Sequence, residues 1–226
     1  MERKKFKIDD YNKREPFKDA TKFFVVYEGE KELNYFQLFN YLFLPPEKAS
    51  IIHVLEKDTI VGSQPKKLIE RADFFIKNPP KDISVTPSED DKFRFVLDVD
   101  QHPADQFNEL YEYCNKLNDA NLYISNICFE VWLYFHLDKR EKILSNSSSE
   151  MKTELGAKHT ELKIKNYPRG YLTSERIKKA IEEAENADND KTNFFPIKNS
   201  SKVYLLMQEL LKHSILNEDV NNPETL

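Results

Sequence analysis

The chain has 226 residues, of which 39% are hydrophobic and 12% aromatic, so it can build the core of one large domain. Its net charge of −5 excludes a uniformly basic nucleic-acid-binding coat but leaves room for local basic patches. No apolar run approaches the ~18 residues that a membrane-spanning helix needs, and the charged N-terminus lacks the apolar centre of a signal peptide. Cys114 and Cys128 have neither metal-type nor redox-type spacing. We therefore expect a reduced, cytoplasmic protein that does not contact a membrane.

Residues 1–21 are predicted to form a charged N-terminal arm, and residues 22–138 an α/β core. Within the core, short β-branched and aromatic runs predict buried strands, and amphipathic runs predict helices. In chain order the predicted elements are strand 22–27, helix 32–43, strand 50–56, helix 65–76, strand 92–100, a helix at about 103–117, strand 121–126 and a helical segment 127–137. This alternation favours a parallel sheet covered by helices on both faces, with ligands at the carboxyl ends of its strands.

Residues 139–226 are predicted to form a mostly helical C-terminal extension that ends in a disordered tail. Segment 145–150 is linker-like, and the patterning of residues 151–165 is weakly helical. Amphipathic helices are predicted at 174–186 and 200–212, the second with a clear stripe of apolar residues.

Carboxylates stand at the ends of two predicted strands. One strand ends on Glu28, and a later strand ends on Asp98 and Asp100. Asp98 and Asp100 are two apart in an extended segment, so their side chains point to the same side. Because carboxylates held together repel one another, such a set favours a hard divalent cation, often Mg²⁺. The pattern predicts a metal site of Glu28, Asp98 and Asp100, against the alternative that these carboxylates only solubilise the sheet edge.

The residues after Glu28 open the next helix. Gly29 is one of only four glycines and is expected to let the chain turn sharply, so that Glu28 reaches the cleft. Glu30 and Glu32 fall in the first helical turn, where the dipole favours acids, so neither needs a catalytic role. Glu30 is nevertheless a candidate auxiliary ligand. Lys31 is a candidate phosphate contact, against the simpler interpretation of a solvated lysine.

Two polar residues near the fourth strand are further candidates. Glu130 lies in the apolar segment ICFEVWLYFHL, so its carboxylate is expected to be buried and to need a partner. That partner is either a backbone amide or cation near the helix start, or the strand-end cluster, where Glu130 would be an auxiliary ligand. Asn126 precedes this helix and is expected to cap it, with an auxiliary role in the site as the alternative.

Together these pieces resemble the RloB-like family, whose Toprim-like members occur in bacterial phage-defence and restriction-linked loci. The resemblance covers about residues 22–212, and it is carried by VVYEGEKELNYF (25–36), GSQPKKLIERA (62–72), FVLDVDQ (95–101), SNICFEVWLYFHL (125–137) and NSSKVYLLMQELL (199–211). A strand ending in E-G followed by a strand ending in D-x-D is similar to the Toprim pattern. The chain departs from the family at Glu32, where no Thr follows E-G-E-K, and at Ile127-Cys128, where the family usually has Pro.

The resemblance implies a Toprim-like, Rossmannoid parallel sheet and a nuclease that depends on Mg²⁺ or Mn²⁺. Glu28 would act as general acid or base and as a metal ligand, beside Asp98 and Asp100. The family further implies a role in antiviral defence by abortive infection, cleavage of DNA or RNA (tRNA included), and an AAA-type ATPase partner. The chain itself has no Walker loop. A homo-oligomer is left open.

Two other interpretations compete with the nuclease. The first is a non-catalytic partner subunit that docks an ATPase or a nucleic acid through a silent fold. The second is a phosphohydrolase with Asp98 as nucleophile, which fits less well because an E-G strand precedes the D-x-D strand.

Overall fold

The computed structural model describes residues 19–55, 62, 64–80, 91–99, 102–165 and 167–217. The described strands and α-helices are β1 Thr21–Tyr27, α1 Glu30–Phe43, β2 Ala49–Val54, α2 Pro65–Lys77, β3 Asp91–Asp98, α3 Ala104–Cys114, β4 Ala120–Asn126, α4 Phe129–Phe135, α5 Ser148–Glu161, α6 Ser174–Ala187, β5 Ser200–Ser201 and α7 Val203–Leu211. Short 3₁₀ helices lie at Arg140–Lys142 and Ile215–Asn217. Most of the predicted arm and the predicted tail after residue 217 lie outside the described residues.

A five-stranded sheet in the order β2-β1-β3-β4-β5 forms the centre of the described residues. The first four strands are parallel, and the two residues of β5 pair antiparallel with β4. The predicted α/β class, with helices flanking a mostly parallel sheet, is confirmed. Because β1 and β3 are neighbours in the sheet, the residues that follow them meet at one edge.

Helices cover both faces of the sheet, which explains why β1 is apolar without alternation. Phe23 and Val25 face a core formed with α1 and α4 to α7, whereas Phe24 and Val26 face a core formed with α2 and α3. All four side chains are fully buried. A strand buried on both faces reads as a continuous apolar run, which is the pattern of the sequence here.

The C-terminal residues contribute to the sheet and to the larger of the two cores. Ser201 of β5 pairs with Ser125 of β4, and the hydroxyl oxygens of these serines lie 2.9 Å apart. The predicted helix 200–212 therefore begins only at Val203, whose amide still donates to the Ser201 hydroxyl at 3.3 Å. Helices α5 and α6 pack against α4, and α7 packs against α6 and β4. Among the described residues, no helix combines the length and apolar character that crossing a bilayer requires.

A buried histidine joins α1 to α4. His136 donates from Nδ1 to the carbonyl oxygen of Trp132 at 3.0 Å, which leaves Nε2 to accept the Tyr35 hydroxyl at 3.0 Å. With Nε2 as the acceptor the imidazole is neutral, which is the form that burial favours. Burial, followed by the charges of Arg176 and Lys179, lowers the pKa of His136 to about 3 from its ordinary 6.5.

Acidification is therefore expected to destabilise the fold through His136. Between about pH 7 and about pH 5 the unfolded imidazole takes up a proton while the buried one does not, which costs about 2 kcal/mol of unfolding free energy. The loss begins near the unfolded pKa of 6.5 and continues as pH falls toward about 3. Urea unfolding across this range should show a weaker pH dependence in His136→Gln than in wild type. An equal dependence in the two proteins would contradict the assignment.

Candidate metal site at the carboxyl edge of the sheet

Glu28 and Asp98 meet where β1 and β3 end. Tyr27 pairs with Val96 in parallel register, and the Glu28 amide extends this ladder by donating to the Val96 carbonyl at 3.1 Å. The Glu28 side chain then turns toward β3, where its Oε2 accepts the Asp98 backbone amide at 2.8 Å. The structure thus brings Glu28 and Asp98 together. The third predicted ligand, Asp100, lies outside the described residues.

The Asp98 carboxylate lacks a full set of partners. The backbone amide of Phe129, in the first turn of α4, lowers the pKa of this carboxyl and so opposes the effects of its other surroundings. Its Oδ1 is buried and has no hydrogen-bond partner among the described residues. Burial, followed by the charges of Glu32 and Glu28, raises the pKa of Asp98 well above its ordinary value. A carboxylate in this position is stabilised by a nearby cation.

Glu32 belongs to the same cluster, which sequence reasoning missed. Its side chain is only 4% exposed, although the first-turn position had suggested a simple contact with the helix dipole. Burial, followed by the charges of Glu28 and Glu130, raises the pKa of Glu32 to about 7 against the opposing effects of its own backbone amide and Lys31. The available signal was its spacing, since Glu32 stands one helical turn before the buried Tyr35 and Phe36.

Gly29 has a different purpose from the one expected. Its backbone is extended, with φ −141° and ψ 179°, so any residue could adopt it and the expected glycine-dependent turn is wrong. The reason for glycine is space, because a Cβ at this position would lie 3.1 Å from Oε2 of Glu32. A larger residue would press on the buried Glu32 carboxylate.

Glu130 and Lys31 form an ion pair beside the cluster. Glu130 is 2% exposed and accepts a hydrogen bond from the Lys31 ammonium. Of the two alternatives considered for Glu130, the structure shows the first, because a cation near a helix start binds it. Its charge also acts on Asp98 and Glu32, and its role as an auxiliary ligand stays a prediction. Lys31, a candidate phosphate contact, is half-exposed and already paired with a carboxylate.

The remaining candidates lie at the margins of the site. Glu30 is exposed and lines a pocket of ≈ 280 Å³ together with Glu28 and Leu55. The expected cap is wrong, because the N-cap residue of α4 is Cys128; the Asn126 side-chain amide instead donates to the Pro196 carbonyl at 3.0 Å and connects β4 to the segment before β5. His102 comes closer to the site, with Nε2 3.5 Å from Oε1 of Glu28, and can pair with that carboxylate when protonated.

Arg71 of α2 fixes the end of β1. It is 3% exposed, and its guanidinium donates to the Tyr27 carbonyl at 2.8 Å and to the Gly62 carbonyl. Tyr27 immediately precedes Glu28, so this contact holds the backbone from which the Glu28 side chain projects. Sequence reasoning gave Arg71 no role, because a helical arginine is usually a solvated residue.

A divalent cation fits this edge through few protein ligands. Within the described ranges, no group of three or more His, Cys, Asp or Glu side chains has the geometry to hold a metal ion. Mg²⁺ is commonly held by only one or two carboxylates, while water and substrate phosphates supply the other oxygens. The unpartnered Oδ1 of Asp98 and the adjacent Glu28 carboxylate are donors of this kind. The residues present therefore fit Mg²⁺ or Mn²⁺.

Fold and site define an α/β protein with a carboxylate cluster at the carboxyl edge of a mostly parallel sheet. The sequence model of the family described as RloB-like protein matches residues 23–210, which is most of the chain. The chain belongs to the RloB-like family. Neither the curated proteins nor the solved structures gave a match.

Proposed function

We propose that the protein is a Toprim-type nuclease effector that cleaves nucleic-acid phosphodiesters with Mg²⁺ or Mn²⁺. The observation that carries the proposal is the meeting of Glu28 with Asp98 at adjacent strand ends, where Asp98 keeps one buried oxygen without a hydrogen-bond partner. Membership of the RloB-like family supports it further. The defence role and the AAA-type ATPase partner are proposed from the family resemblance.

Each residue of the edge has a proposed role. Glu28 and Asp98, together with Asp100, would hold the cation, which supplies electrostatic stabilisation of the phosphate under attack and activates a water. Glu28 would also act as general acid or base, and the Asp98 amide, which donates to Oε2, holds its carboxylate in place. Glu32 and Glu130 are buried behind these ligands and their charges act on Asp98, so a divalent cation would relieve repulsion within this group.

The test is cleavage of labelled DNA and RNA, tRNA included, with Mg²⁺ or Mn²⁺. The assay is run with the chain alone and with the proposed ATPase partner and ATP, because an autoinhibited effector would be silent alone. Cleavage that depends on the metal and on Asp98 supports the proposal. If the wild-type chain cleaves none of these substrates even with its partner, a non-catalytic docking subunit becomes the better hypothesis.

Metal binding is expected to stabilise the fold. Mn²⁺ or Mg²⁺ relieves repulsion within the carboxylate cluster and binds only the folded state, so it should raise the Tm by ligand linkage. Asp98→Asn should remove most of this increase while the protein stays folded. Differential scanning fluorimetry with and without metal measures both effects.

A matched control is Glu112→Gln, which neutralises an exposed carboxylate of α3. It should keep the full metal-dependent increase. If the increase is the same in wild type and in Asp98→Asn, the ions bind elsewhere on the protein.

A further inference from the structure

The loop between α5 and α6 carries an uncompensated cluster of positive charge. Residues 162–173 include Lys163, Lys165 and Arg169 but no aspartate or glutamate, in a chain whose net charge is −5. All three cationic side chains are exposed. We call these three residues, together with Tyr167 between them, the basic loop.

The basic loop contacts the first turn of α1, next to the candidate metal site. Tyr167, between its cations, donates from its hydroxyl to the backbone carbonyl of Lys31 at 2.5 Å. Lys31 in turn pairs with Glu130 of the carboxylate cluster. Burial, followed by the charges of Glu32, Tyr35 and Glu130, raises the pKa of Tyr167.

The basic-loop cations differ from the other cations near the cores. Arg94, Lys158 and Lys202 are each held by carboxylates. Among the described residues, no carboxylate forms an ion pair with a cation of the basic loop. As far as the described part of the chain goes, their charge therefore stays available to a ligand in solution.

An acidic cluster that processes nucleic acid faces an electrostatic problem. The cluster contains four carboxylates that together repel a polyanion: Glu28, Glu32, Asp98 and Glu130. The neighbouring cation, Lys31, is already paired with Glu130. Exposed lysines and arginines on an adjoining loop offset this repulsion, because they exchange counterions for the phosphates of the substrate. The position of the basic loop matches this need.

Resting on the proposed function, we infer that the basic loop binds the phosphate backbone of the nucleic acid cleaved at the Glu28–Asp98 edge. Lys163, Lys165 and Arg169 each contact a phosphate, without reading the base sequence. Tyr167 anchors the loop, since its hydroxyl is engaged with the backbone of α1.

The test compares two triple variants in EDTA, where cleavage cannot occur. One is Lys163→Ala/Lys165→Ala/Arg169→Ala. The matched control is Lys48→Ala/Lys77→Ala/Lys116→Ala, which removes three exposed lysines that precede parallel strands or end the helices before them, at the opposite edge of the sheet. Binding of a labelled single-stranded DNA, its duplex and a tRNA is followed by fluorescence anisotropy over a range of salt concentrations.

The basic-loop variant should bind at least about tenfold more weakly than wild type. The plot of log K against log[salt] should become shallower, with the magnitude of its negative slope smaller by about 2 to 3. The control should keep the wild-type slope. The three probes distinguish DNA from RNA as the source of the phosphate backbone.

Equal affinities and slopes in the two triple variants would overturn the inference, as would a wild-type chain that binds none of the probes. The proposed function fails separately: a chain that binds through the basic loop but never cleaves with metal and partner keeps the phosphate contacts of the loop and loses the nuclease proposal. A chain that cleaves but whose basic-loop variant binds normally leaves the nuclease proposal standing instead.

Discussion

Replacing Glu28 by glutamine is expected to lower nucleic-acid cleavage by about 10²-fold or more. A glutamine carbonyl can still accept the Asp98 amide, which Glu28 does at 2.8 Å, so the edge of the sheet should keep its geometry. The glutamine side-chain amide cannot take up or release the proton in the cleavage reaction, and it contributes no negative charge to the site. The measurement is the cleavage rate with Mg²⁺, the substrate that wild type prefers and the ATPase partner present.

Glu30→Gln is the matched control, because it makes the same chemical change two residues later on an exposed side chain. It should retain activity close to wild type, because the exposed Glu30 side chain lies at the margin of the site; a loss confined to this variant would instead support Glu30 as an auxiliary ligand. Full activity in Glu28→Gln would remove Glu28 as the proton-transfer group and leave it at most a metal ligand. Equal losses in the two variants would indicate a general dependence on charge at this edge.

The order of strands and helices was predictable from the sequence because periodicity carries most of that information. β1 is apolar on both faces and α2 is amphipathic, and both were located to within a residue or two. β5 escaped prediction, since two serines have no periodicity and their pairing with β4 depends on tertiary contact. The linker-like serines were misinterpreted for a local reason. Ser147 accepts the Glu150 amide at 3.3 Å and so caps α5.

The candidate site was predictable only in part. Glu28 and Asp98 could be placed together because the carboxyl ends of parallel strands share an edge. Glu32 could not be placed in the site, because the helix dipole already explains an acidic residue in a first helical turn. The contrary signal was that Glu32 falls on the buried stripe of α1. The ion pair between Lys31 and Glu130 joins residues 99 positions apart, a separation across which composition and periodicity carry no signal.

Arg94 also makes contacts with residues far from it in the sequence. Its side chain is 1% exposed and is held by residues 25 and 115 positions away in the sequence. The guanidinium donates to both carboxylate oxygens of Glu209 on α7, at 2.8 and 2.7 Å, and to Oδ1 of Asp119 at 2.9 Å. The guanidinium also lies over the ring of Phe23, with its Cζ 5.8 Å from the ring centroid. Arg94 thus ties the C-terminal helix to the centre of the sheet.

Arg94→Ala is expected to lower the free energy of unfolding by about 3 to 5 kcal/mol. The substitution leaves the Asp119 and Glu209 carboxylates sharing Lys92 as the cation that pairs with both among the described residues, and it opens space under α7. Arg94→Lys keeps the charge but loses the paired hydrogen bonds, so its stability should lie between those of wild type and Arg94→Ala. Urea unfolding near neutral pH measures the series, with the exposed Lys77→Ala as a control that should change little.

The pH dependence of this loss identifies its cause. Although burial opposes the shift, hydrogen bonds and charge from Arg94 and Lys92 hold the pKa values of Asp119 and Glu209 below their ordinary 3.8 and 4.5. Carboxyls with lowered pKa values stabilise the fold above their unfolded pKa and lose that contribution as pH falls through the folded values. The gap between wild type and Arg94→Ala should therefore narrow below about pH 4.5. A gap that stays constant with pH would assign the loss to packing alone, because a cavity costs the same free energy whatever the charge on its neighbours.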